Sequence, residues 1–94
     1  MQYSADAAET LALRALTWLL GQDELLPVFL GASGASEQDL RTRAGEPEFL
    51  GSVLDFLMMD DAWVVQFCQS AAIPYEHPML ARAALPGGAQ MHWT

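Results

Sequence analysis

Four side chains in the stretch GASGASEQDLRTRAG, residues 31–45, have the types and spacing to contact a DNA duplex. Gln38, Arg41 and Thr42 fall where the second helix of a helix-turn-helix carries its base-reading groups, and Arg43 follows where a phosphate contact would sit. Gln and Arg suit that task because their paired hydrogen-bonding atoms match the edges of adenine and guanine. Leu30, Gly34 and Leu40 have roughly the spacing of inner apolar residue, turn glycine and inner apolar residue. The charge balance argues the other way. The chain has twelve acids against four arginines, Arg14, Arg41, Arg43 and Arg82, with no lysine, for a formal net charge of −8. Phosphate neutralisation supplies most of the affinity for nucleic acid, and Glu37 and Asp39 put negative charge at the helix end that should enter the groove. A capping box, Ser36 with Asp39, explains the same residues without DNA.

Other reactive types are sparse. His77 and His92 are the only histidines, and neither has a nucleophile or an orienting carboxylate at a helical or turn spacing. Cys68 is the only cysteine, so no internal disulfide forms and no multi-cysteine metal site exists. In WVVQFCQSAA it reads as a buried, inert thiol. Asp55, Asp60 and Asp61 lack the alternating oxygens of a calcium loop, and Asp55 and Asp60 do not share a helical face. Asp60 or Asp61 reads as a helix cap and Asp55 as a solvated acid. No phosphate-binding glycine loop and no metalloprotease or hydrolase motif is present. The sequence therefore predicts no catalytic residue, no cofactor and no metal.

The elements that must position these groups are all helical. The 52% apolar content excludes a disordered chain despite the charge, and no window alternates at the period of a strand. A first helix is expected over residues 5–20, capped by Ser4 and closed by a left-handed Gly21, with Ala8, Leu11, Ala12, Ala15, Leu16 and Leu19 inward and Thr10 and Thr17 facing away. A second covers about 24–32 behind Asp23, with Leu26, Phe29 and Leu30 inward and a glycine stop at Gly34. A third covers about 37–44 and ends at Gly45. A fourth opens at Pro47 and buries Phe49, Leu50, Val53, Leu54 and Leu57, with Phe56 and Met58 widening that face. A fifth, about 62–72, is apolar nearly all round and reads as the central helix. A sixth runs over about 78–85.

Ten of the twelve acids fall at or beside these helix starts, where carboxylates oppose the positive end of the helix dipole. The acidity is thus mainly helix-start chemistry. The predicted fold is all-α, a single compact orthogonal bundle of five or six short helices over residues 1–88, with helices 1, 4 and 5 supplying most of the core and residues 89–94 a tail. Residues 1–9 lack the basic start of a secretory signal. The longest charge-free stretch, Ala62 to Tyr75, is too short for a membrane span. A cytoplasmic protein is expected.

The segments LALRALTWLL, EPEFLGSVLDFLMMDDAWVVQFC and ARAALPGG, in this order and spacing, resemble a family of small bacterial helical proteins classed only as a domain of unknown function. The shared features are a Leu/Ala-rich first helix, an acid-Pro-acid-Phe-Leu helix start, a Leu-Asp-Phe-Leu core segment and a closing Ala-Leu-Pro-Gly-Gly. The likeness covers about residues 5–88 and is weakest at YEHP, before the sixth helix. It implies an all-helical domain with no established activity and carries over no site residues.

Function is then expected from surfaces. With no catalytic constellation, the leading expectation is a non-enzymatic module that contacts a protein partner or itself. Met59, Met91 and Trp93, apolar residues left over once the core is assigned, are its candidate contacts. The alternative is helix-turn-helix-like DNA binding through Gln38, Arg41, Thr42 and Arg43, against the charge.

Overall fold

Ser4 starts the first helix as its chemistry dictates: its backbone is extended and its hydroxyl accepts the Ala7 N–H at 3.1 Å. The computed structural model describes residues 2–86. Six helices follow one another: α1 Ala5–Leu20, α2 Leu25–Ser33, α3 Glu37–Arg43, α4 Pro47–Leu57, α5 Asp61–Ala71 and α6 His77–Ala83. No strand occurs among the described residues, so the fold is all-α. Met91, Trp93 and His92 lie outside the described residues.

The capping box of α3 is complete. The Asp39 N–H donates to the Ser36 hydroxyl at 3.2 Å, and the Ser36 N–H donates to the Asp39 carboxylate at 3.0 Å. The Ser36 N–H first, and then the Ser36 hydroxyl, hold the Asp39 carboxyl below its ordinary pKa. Asp60 caps α5 by accepting the Ala62 N–H at 2.8 Å. The start of α2 differs from expectation. Glu24, not Asp23, is its cap residue, and no side chain bonds there. Glu46 and Glu76 likewise stand at cap positions without side-chain cap bonds, so at these helix starts the acids act through the helix dipole.

Helix ends bring further corrections. Gly34 is left-handed at φ 73°, as a glycine stop requires. Gly21 is not: its φ is −90°, and its N–H turns back to the Trp18 carbonyl in a tight final turn. Gly45 is not left-handed either, because α3 closes at Ala44 in a right-handed conformation. The second left-handed stop is instead Ala72, at φ 58° after α5.

The core is centred differently from the sequence expectation. α1 buries the six predicted residues and packs chiefly on α4 and α6. Ala8, Ala12 and Ala15 are fully buried, and their small side chains admit those neighbours closely. α4 buries the expected stripe plus Gly51 and Phe56. α5 is peripheral: only Phe67 and Cys68 are buried, while Trp63, Val64 and Val65 are half-buried. Trp63 packs on the edge of the core, stacked on Phe56 with ring centroids 4.9 Å apart. The third helix of the centre is the short α6, through Pro78, Ala81 and Arg82.

Arg82 accounts for that role. It is 8% exposed and binds Asp55 with two bonds, Nε to Oδ1 at 2.7 Å and Nη2 to Oδ2 at 3.1 Å. Nη1 donates to the Pro86 carbonyl at 3.0 Å. Asp55 is therefore not a solvated acid but the partner of a buried cation.

Candidate interaction face

On α1 the residues opposite the core follow a spacing of their own. Thr10, Leu13, Thr17 and Leu20 are separated by three, four and three positions, the interval of a helical seam. All four are exposed, Leu13 at 40% and Leu20 at 49%. The threonines make the seam drier than their type suggests. The Thr10 hydroxyl donates to the Asp6 carbonyl at 3.0 Å and the Thr17 hydroxyl to the Leu13 carbonyl at 2.9 Å. A partner could cover them without leaving a donor unpaired.

A depression lies on each side of Leu13 and Thr17, which line both. The first, about 510 Å³, runs between α1, α2 and α3. Leu16, Leu20, Leu26, Leu40 and Ala44 give it apolar walls, and Glu37 and Arg41 are its polar residues apart from Thr17. The second, about 440 Å³, lies between α1 and α5, with Trp18 and Phe67 beside Arg14, Thr10 and Ser70. Arg14 donates to the Ala71 carbonyl at 2.9 Å, satisfying a carbonyl in the last turn of α5.

The arginines divide into two kinds. Arg82 pairs with Asp55, and Arg43 lies 3.4 Å from Glu46 with its guanidinium carbon 4.7 Å from the centre of the Phe49 ring. Among the described residues, Arg14 and Arg41 have no carboxylate within 4.0 Å. These two line the two depressions.

A family model described as "Protein of unknown function (DUF3572)" matches residues 5–88. The chain belongs to this family. No curated protein and no solved structure matches it.

Elsewhere in this DUF3572 chain the predicted candidates scatter. Gln38, Arg41 and Thr42 share one shallow surface with Glu37, whereas Arg43 turns to Glu46 and the Phe49 ring. The four do not form one basic face. Met59 is 73% exposed just beyond α4 and lines neither depression beside α1. His77 meets Tyr3, the Nδ1 and the phenol sharing a hydrogen bond while the rings cross edge to face at 5.4 Å. Burial raises the Tyr3 pKa, with the Arg14 charge opposing. Burial also raises the Cys68 thiol, helped by Glu76, which keeps it protonated and unreactive. Among the described residues, no three His, Cys, Asp or Glu side chains gather as metal ligands would. No helix there is long and apolar enough to cross a membrane.

The seam itself went unpredicted. In the sequence Thr10 and Thr17 read as polar positions facing away, and they mask Leu13 and Leu20. The three-four-three spacing on the outer side of α1 was the available signal.

Proposed function

We propose that this chain is a non-enzymatic, cytoplasmic interaction module that engages a protein partner through the outer side of α1. The observation that carries this reading is the seam Thr10, Leu13, Thr17 and Leu20, two exposed leucines one heptad apart with an apolar depression on each flank. This reading places the contact on α1 rather than at Met59, which lines neither depression. The cytoplasmic assignment rests on cysteine usage: one thiol gives an oxidising compartment no intrachain pair to form. Nucleic acid is disfavoured by the net charge of −8 and by the engagement of Arg43 and Arg82 with carboxylates.

The test compares wild type with a Leu13→Ser/Leu20→Ser variant, both confirmed as folded by circular dichroism. Partner capture or self-association should be present in the first and lost in the second. Capture that survives the double substitution would remove α1 as the contact, and salt-sensitive retention on duplex DNA would favour the alternative.

A further inference from the structure

We propose that the occupant of the α1 face is an amphipathic helix whose apolar stripe is flanked by carboxylates, an inference that rests on reading this face as the interaction surface. From Thr10 to Leu20 the seam covers eleven residues, about 15 Å of helix axis at roughly 1.5 Å for each step between them. A partner helix of about three turns covers that length and presents two or three large apolar residues. These are enough to enter the depressions on either side of Leu13 and Thr17.

Charge selects among such helices. The linings of the two depressions carry Arg14, Arg41 and Glu37, so two positive charges against one negative leave +1 there. The chain as a whole carries −8. Both arginines without a carboxylate neighbour among the described residues are thus at the walls of the two apolar depressions. At physiological salt, charges more than about 8 Å away are largely screened, so local cations outweigh remote acids once a partner has docked. A second copy of the chain fits poorly. In a symmetric pairing the linings of its depressions bring one carboxylate, Glu37, to face two arginines, and the two bodies repel at long range.

The test uses two synthetic peptides with the same leucine heptad pattern, one with Glu and one with Lys at the flanking positions. Each is titrated into the isotopically labelled full chain at about 0.15 M salt and followed by amide chemical shifts. The Glu-flanked peptide should shift Thr10 to Leu20 together with Leu40 and Arg41. An Arg14→Gln/Arg41→Gln variant should bind it about three- to tenfold more weakly, as expected from losing two surface pairs. The Arg14→Glu/Arg41→Glu variant should prefer the Lys-flanked peptide, and a thermal melt of each variant checks its fold. Equal or tighter binding of the Lys-flanked peptide by wild type would overturn the acidic partner while leaving the α1 face standing. Concentration-dependent dimerisation that shifts the same amides would replace the partner by a second copy. If neither peptide moves α1 and the chain stays monomeric, both readings fall.

Discussion

Arg82 on α6 reaches Asp55 on α4 through two bonds of 2.7 and 3.1 Å, and the pair joins two of the three helices at the centre of the fold. Removing one partner leaves the other charge without compensation. The Arg82 side chain is 10% exposed and that of Asp55 31%. The cost of Asp55→Ala therefore falls below that of a fully buried pair, at about 2–4 kcal/mol. A paired Asp55→Leu/Arg82→Met substitution should recover most of that loss, because it removes both charges and keeps the volume. Urea unfolding of the three proteins checks this, and a double variant as weak as the single one would show that the ion pair itself is required.

Gly51 makes room for the guanidinium. A Cβ added there would stand 2.9 Å from Nη1 and 3.0 Å from the central carbon of Arg82. Arg82 cannot swing away without giving up Asp55 or Pro86. Gly51→Ala should thus destabilise by about 1–3 kcal/mol as overpacking, although alanine is otherwise the better helix former by about 1 kcal/mol. A rise in melting temperature would mean that the guanidinium has another place to go.

Ala72 should behave oppositely. At φ 58° it carries a left-handed backbone that disfavours any Cβ. Replacing it with glycine relieves that strain but makes the unfolded chain more flexible. The expected net gain is about 0.5–1 kcal/mol, or about 2–8 °C in Tm for a chain of this size. A fall in Tm on Ala72→Gly would contradict this account of the end of α5.

Alkaline pH should weaken the fold through Cys68. An unfolded thiol ionises near about pH 8.5, whereas burial raises the native one. Between those values the unfolded state has released a proton that the native state keeps, so stability falls as pH rises. Tyr3, also raised, extends the loss at higher pH. Cys68→Ala should flatten the melting profile between about pH 8 and 9.5 relative to wild type. Asp39 works on the acid side. Its lowered carboxyl stabilises α3 above the ordinary carboxylate range, and that contribution disappears as pH drops through the native value. Parallel slopes for wild type and Cys68→Ala would rule out the thiol.

The helix starts were readable because Ser4, the Ser36–Asp39 box, Pro47 and Asp60 announce themselves within three residues. The ion pair was not, because its partners lie 27 positions apart and each has an ordinary surface explanation alone. α5 departs from the expected central helix because hydrophobicity all round reports apolar surface without saying how much is covered. Trp63, Val64 and Val65 are only half so. α6 was undervalued for the opposite reason, since Pro78, Ala81 and Arg82 look unlike a core yet are buried. In α1, two threonines disguised the outer seam as polar.

α1 has one side committed to the core and the other to the exposed seam, and the angular phase of the helix keeps them apart. A single residue inserted near Ala7 would rotate everything beyond it by about 100°, carrying the threonine and leucine row toward the interior. Swapping one residue for another can be absorbed locally, but adding or deleting one rewrites both sides together. The tolerance of this helix should therefore be judged by length more strictly than by composition.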